Sequence, residues 1–291
     1  MPARSDRAAV SEGQPGAAQD GADRPDPAIV VDQIAPDIVV MRLNRPERLN
    51  ALTREMVAEL NETLTTIARR VDVRAVILTG TGRGFCSGQD VAAADARNRT
   101  APSGLAERMD WQEKFSAMVE NIRAMPQVVI AAVNGPCAGA GMALALAADM
   151  RTASHSARFL NAAVRLGLTA GETGMSYMLP RLIGAARAFE ILITGRAVEA
   201  QEAQAIGLVV RLSDKDDLMA DTRALARMVL ANSPFATTHT KRLFWQNLDA
   251  PSFHAALELE NRTQILASMT EDYKEATAAF TDKRPAQFTG R

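Results

Sequence analysis

Val128–Asp149, VVIAAVNGPCAGAGMALALAAD, reads as an apolar strand, a glycine-broken turn and a helix of very small side chains. Val128 to Val133 carries no polar residue, which suits a strand of a parallel sheet covered on both faces, and Asn134-Gly135-Pro136 ends it. From Ala138 the side chains almost vanish. Through Gly139, Ala140 and Gly141 the N–H groups of a helix N-terminus are left unscreened, a place that favours negative charge. Small residues would equally let this helix lie close to its neighbours, and the stretch alone does not separate the two readings.

A second stretch bears on that choice. Arg74 to Gly80, RAVILTG, is again a buried strand ending in glycine, and Thr81 to Val91, TGRGFCSGQDV, makes another glycine-rich strand-to-helix corner. Two such corners can aim two backbone N–H groups at one oxygen, the geometry of an oxyanion hole, whose donors are fixed before charge develops. A phosphate-binding P-loop is excluded by spacing and by the missing lysine. The dinucleotide and serine-elbow glycine patterns fail as well.

The 291 residues are 47% hydrophobic and 4% aromatic, enough for a large aliphatic core in one domain with a smaller appendage. Net charge is −1, from 33 basic and 34 acidic residues, so neither nucleic acid nor an anionic membrane is expected as the main partner. Two cysteines, Cys86 and Cys137, allow at most one bridge, and no stretch reads as a secretory leader or a membrane span. A cytoplasmic protein is expected. His155, His239 and His254 have no partner at metal or triad spacing, so no metal is expected.

In chain order, residues 1–28 mix Gly, Pro, Ala, Asp and Arg with almost no branched aliphatic side chain and read as a disordered tail. A core over 29–232 begins with a hairpin, Ile29 to Ile34 and Ile38 to Leu43, turning at Ala35-Pro36-Asp37. Thr53 caps a helix carrying Met56, Leu60, Leu64 and Ile67 at helical spacing. Residues 92–104, short-chained, charged and broken by Pro102, read as a mobile loop, and Leu105 to Arg123 returns to helix. A short strand near Met150 to Ala153 is followed by the segment Phe159 to Asn161, helices over 184–195 and 199–206 and a last strand, Leu208 to Leu212, and residues 233–291 read as a helical region. The fold class is α/β with a helical C-terminal region.

Six motifs in order, Asn44-Arg45-Pro46-Glu47-Arg48-Leu49-Asn50-Ala51-Leu52, Ile77 to Gly80 with Gly88-Gln89-Asp90, Ala131 to Gly135, Leu179 to Gly184, Leu192 to Arg196 and Ala279 to Arg284, resemble the enoyl-CoA hydratase/isomerase (crotonase) family. The resemblance implies a crotonase-like spiral of ββα units with a C-terminal helical trimerisation region, so a homotrimer or hexamer. It also implies an acyl-CoA thioester as substrate. Coenzyme A is then part of the substrate, and no separate cofactor is expected.

Position by position, the resemblance places the two oxyanion donors on the backbone N–H groups of Gln89 and Ala140. The two glutamates of the family's hydratases fall on Ala143 and Ala163, and alanine transfers no protons. Glu172, in Ala170-Gly171-Glu172-Thr173-Gly174, resembles the acidic residue of the dienoyl-CoA isomerase branch. Its competing reading is a helix N-terminal carboxylate that interacts with its own first turn. Gln89, Asp90 and Val91 would lie beside the bound CoA, with Asp90 bracing its turn rather than moving protons. Arg48 is a further cation for the phosphates, and by the resemblance Lys283 would meet the phosphates and Phe280 form a shelf for adenine, both from a neighbouring subunit. Tyr177 either lines the acyl pocket or packs.

Two readings of different class follow. One is an enzyme that shifts or activates a double bond in an acyl-CoA through Glu172 or through a residue not identified from the sequence, with the 92–104 loop as one source. The other is a non-catalytic acyl-CoA carrier that kept the oxyanion donors and lost the acids.

Overall fold

The structure, a computed structural model, describes residues 27–100 and 104–291; of the tail expected over residues 1–28, residues 1–26 lie outside them. The two described residues of that stretch are held: Asn44 donates from its backbone to Ala28 O at 2.8 Å and from its side chain to Pro27 O at 3.0 Å.

The N-terminal hairpin forms as read, with β1 (Ile29–Ala35) antiparallel to β2 (Ile38–Leu43) and a bulge at Gln33/Ala35. Helix α1 (Arg54–Ala68) starts at Thr53, whose hydroxyl accepts from the Met56 N–H, and it buries Met56, Val57, Leu60, Leu64 and Ile67. After these come β3 (Ala75–Gly80), α2 (Val91–Thr100), α3 (Leu105–Ala124), β4 (Val128–Val133), β5 (Pro136–Ala138) and α4 (Ala140–Ala147). Next come β6 (Met150–Ser154), β7 (Arg158–Leu160), α5 (Met175–Ile183), α6 (Ala185–Thr194), β8 (Ala197–Glu199), α7 (Ala200–Ala205) and β9 (Arg211–Ser213). Four helices complete the chain: α8 (Leu218–Leu230), α9 (Pro234–Asn247), α10 (Phe253–Ser268) and α11 (Glu271–Asp282).

Two sheets carry the fold. The larger has six strands in the order β1-β2-β3-β4-β6-β9, parallel everywhere except the first hairpin. Its central strands β3 and β4 are apolar on both faces because both faces are covered. One face packs on α1, α3 and α4 through Val76, Leu78, Val129 and Ala131, and the other on α8 through Ile77, Ile130 and Ala132. The smaller sheet, β5-β7-β8, has three-residue strands that the sequence did not announce as a sheet.

Residues 92–104 were expected to be a mobile loop; a helix over Val91–Thr100 corrects this for 92–100, and residues 101–103 lie outside the described residues. Asp90 starts it, its carboxylate accepting from Ala93 N at 3.1 Å and its carbonyl from Ala94 N at 3.0 Å. Alanines 92, 93, 94 and 96 then favour helix strongly enough to outweigh the lack of an apolar stripe. The last strand is also shorter and later than the expected 208–212. Leu208 and Val209 instead bond back to Ala203 O at the end of α7. Among the described residues, no helix is long and apolar enough to cross a membrane.

Candidate active site

The site is built where the two glycine corners join. Phe85 and Cys86 donate to Pro136 O at 3.0 and 3.2 Å, and Ala138 donates back to Cys86 O at 2.8 Å, so Cys86 and Cys137 pair as a parallel bridge. Both thiols are free and fully buried, and burial pushes Cys86 up to about 12, far from a reactive thiolate. On its other side the corner is tied to the loop after β2: Ser87 donates to Leu49 O at 2.9 Å, Leu52 to Gly88 O at 2.8 Å and Asp90 to Leu52 O at 2.9 Å.

Two glycines make the approach possible. Gly88 has φ +94°, and a Cβ there would stand 2.9 Å from Ala138 O and 3.3 Å from Ala140 N. At Gly141 a Cβ would meet Cys86 O at 2.3 Å. A side chain at either position would drive the corners apart. The peptide after Gly88 thus lies beside the first N–H of α4. Among the described residues, neither the Gln89 nor the Ala140 N–H is donated to a protein oxygen.

Two asparagines hold the first corner in shape. Asn50 is fully buried, donates to Thr81, Gly84 and Phe85 carbonyls at 3.1, 2.9 and 3.1 Å, and accepts from Arg45 N at 2.8 Å. Asn134 donates to Gly80, Gly82 and Gly84 carbonyls at 2.9, 3.1 and 3.2 Å. Both lie in quoted motifs, yet their clamping role was missed, because each spans a loop distant in sequence.

Beside the corners opens a cleft of about 870 Å³, lined by Leu52, Gln89, Trp111, Leu168 and Glu172 among others, a size usual for small-ligand sites. Three carboxylates face it, and their surroundings differ. Hydrogen bonds hold Glu55 below its ordinary value, first from its own backbone N–H and then from the Thr53 hydroxyl. Asp90 is also held low, first by the Ala93 N–H and then by Arg45, whose guanidinium lies 3.1 Å away. Asp90 therefore braces the corner as expected. Glu172 is half-buried and pushed above the ordinary carboxylate range, with burial as the cause. Were it serving the N-terminus of α5, donated N–H groups would lower it instead.

Other candidate positions lie away from the cleft. Ala143 and Ala163 are buried, at 0% and 8% exposure, and neither lines it. Arg48 is exposed in a short 3-10 turn, Val91 is exposed at the start of α2, and Phe280 and Lys283 lie at the end of α11, Phe280 88% exposed. Tyr177 packs against Arg181, at 3.5 Å from its ring centre, and bonds Asp249. It does not line the cleft.

Comparison with known proteins agrees with this architecture. The family model described as enoyl-CoA hydratase/isomerase matches residues 33–291. The "Probable enoyl-CoA hydratase echA12" of Mycobacterium bovis is 41% identical over 266 residues, covering 90% of this chain and 92% of that protein. The 1,2-epoxyphenylacetyl-CoA isomerase of Escherichia coli is 36% identical over 265 residues, covering 90% and 98%. The crystal structure of a probable enoyl-CoA hydratase/isomerase from Mycobacterium abscessus superposes with a TM-score of 0.84 at 38% identity, covering 91% of this chain and all (100%) of the other. With a family match over nearly its whole described length and the joined glycine corners in place, this chain belongs to the enoyl-CoA hydratase/isomerase (crotonase) family.

Proposed function

We propose that this chain is an enzyme that isomerises a double bond in an acyl-CoA thioester, using one carboxylate, Glu172, and two backbone donors, the N–H groups of Gln89 and Ala140. The observation that carries the reading is the contrast among the three acids of the cleft. Two are hydrogen-bonded and held low, and only Glu172 is raised, by burial with no hydrogen bond to offset it, as suits a group that must both take and return a proton.

The step balances without water. Glu172 removes a proton from the α-carbon of a β,γ-unsaturated thioester. The electron pair moves toward the thioester carbonyl, whose oxygen becomes the anion held by the two N–H groups. The same carboxyl then returns the proton to the γ-carbon, leaving the α,β-unsaturated thioester. Ordinary hydration asks for a second acid or base to hold and activate a water, and Ala143 and Ala163 supply none. CoA phosphates would be met by Arg48 and, in a trimer or hexamer, by a neighbouring copy's Lys283, with Phe280 as a shelf for adenine.

The test is Glu172→Gln, which keeps shape and removes the ionisable group. Isomerase turnover should fall by about 10² to 10⁴ while acyl-CoA affinity holds. Full turnover in that variant would move the chemistry to another residue. The carrier reading is supported by the alanines at positions 143 and 163. Wild-type protein that binds acyl-CoA thioesters tightly and turns over no enoyl substrate would establish it instead.

A further inference from the structure

Arg54 opens α1 and Trp111 lies on α3, and the guanidinium carbon of Arg54 stands 4.5 Å from the centre of the Trp111 ring. The ring also packs on Phe115, at 5.5 Å between centres. Arg54 is drawn further to Glu107 at 3.8 Å, and Glu107 holds Arg97 of α2 at 2.7 Å. Both Arg54 and Trp111 line the cleft that contains Gln89 and Glu172. Both also line a second cavity of about 320 Å³, walled by Val57, Ala58, Asn61 and Lys114. The stacked pair is the wall these two spaces share.

We propose that the Arg54–Trp111 pair ends the acyl-binding space and sets the length of acyl group the protein selects. The inference rests on the acyl-CoA reading above. With the pair closed, the far end of the cleft is walled by an indole and a guanidinium, which suits a short or flat acyl group. The second cavity offers Ala58, the Trp111 ring and the aliphatic stems of Arg54 and Lys114, surfaces on which methylenes are driven out of water, with the polar groups of Asn61 and Asp110 at its wall. A longer tail reaches it only when Arg54 leaves the ring. That side chain is 32% exposed and its contact with the ring is partly solvated, so it is displaceable, but every long-chain ligand must displace it.

The experiment measures, by calorimetry, the affinities of saturated acyl-CoA thioesters from butanoyl to dodecanoyl. Arg54→Ala and Trp111→Ala should each shift the ratio of dodecanoyl to butanoyl affinity toward the long chain by about tenfold or more. Ala58, exposed and on the wall of the second cavity, provides the reverse test. Adding Ala58→Phe to Arg54→Ala should fill the cavity and return the ratio to the wild-type value. A ratio unchanged within about twofold in both single variants overturns the proposal and leaves acyl-CoA binding standing. A shift that Ala58→Phe does not reverse also overturns it, since the tail would then run elsewhere. Wild-type protein that binds no thioester of the series would remove the acyl-CoA reading itself.

Discussion

Asn50 and Asn134, from separate loops, donate to one acceptor, the carbonyl of Gly84, at 2.9 and 3.2 Å. The corner that presents the Gln89 N–H is therefore pinned from two sides before any ligand arrives. Preorganisation of this kind is what gives an oxyanion site its advantage over water, whose dipoles must reorient as charge develops.

Asn50→Ala should lower stability by about 1 to 3 kcal/mol, because it strands a part-buried Arg45 N–H and the Phe85 carbonyl, while the Gly84 carbonyl keeps Asn134 as donor. Asn50 also sits at φ +56°, a conformation asparagine tolerates better than alanine. Urea unfolding measures the loss, and an unchanged midpoint would mean that other donors close the corner.

Gly141→Ala should be worse for turnover than for affinity. Its Cβ would lie 2.3 Å from Cys86 O and 2.9 Å from Cys86 C, both backbone atoms, so the two corners must separate. Losing alignment of one oxyanion donor typically lowers turnover by about 10² to 10³. Gly104→Ala, where nothing lies within 4 Å of an added Cβ, is the matched control. Equal turnover in the two variants would argue against a catalytic role for the joined corners.

The raised Glu172 carries a signature in pH. As a base it must be ionised, so turnover should fall as pH drops through a value above that of a free glutamate, about 4.3. For stability the sign is opposite. A carboxyl whose folded value lies above its unfolded value favours folding at low pH, and that contribution is lost as pH rises through the folded value. Glu172→Gln, always neutral, should therefore melt higher than wild type at pH 7, with the gap closing in acid. A variant that melts lower at pH 7 would mean the carboxylate has unrecognised partners.

Strands β2, β3 and β4 and helix α1 were legible because burial leaves its mark on sequence directly, as unbroken apolar runs or a helical stripe. Three-residue strands β5, β7 and β8 carry no such mark, since they exist through pairing with distant partners. The glycine corners were legible as corners, and the resemblance named the two donors. Asn50 and Asn134 were not legible as clamps, because an asparagine beside a turn reads as a local turn residue whereas its acceptors lie some 31 to 54 residues away. Arg54 and Trp111 stayed hidden for the same reason: only the packing of α1 on α3 brings them together.

Lys241 and Asp149 join the C-terminal helices to the sheet. Their side chains are 5% and 11% exposed with the charges 2.8 Å apart. Lys241 also donates to Gln127 O at 2.7 Å, and Trp245 donates to Asp149 at 2.8 Å. Lys241→Met would leave a buried carboxylate without its cation, expected to reduce stability by about 3 to 5 kcal/mol. Lys241→Met with Asp149→Asn should recover part of that loss. Urea midpoints that show no such recovery would indicate that the damage is packing, not charge.

The same helices leave apolar side chains facing outward. Phe244 and Leu248 on and beside α9 are 57% and 44% exposed, and Ile265 and Leu266 on α10 are 64% and 55% exposed. Apolar surface of that density is normally covered by another chain. The trimer or hexamer proposed above would cover it and would bring a neighbouring Lys283 to the CoA phosphates, a role no residue of the same chain's α11 fills in the cleft. Phe244→Asp with Ile265→Glu places two charges on this surface and should yield monomers by light scattering. Those monomers should bind acyl-CoA thioesters more weakly than wild type, although Glu172 and the glycine corners are untouched. Lys283→Ala in the intact oligomer should weaken affinity without changing mass. If the wild type is monomeric at micromolar concentration and still binds acyl-CoA with full affinity, Phe280 and Lys283 have no part in the site.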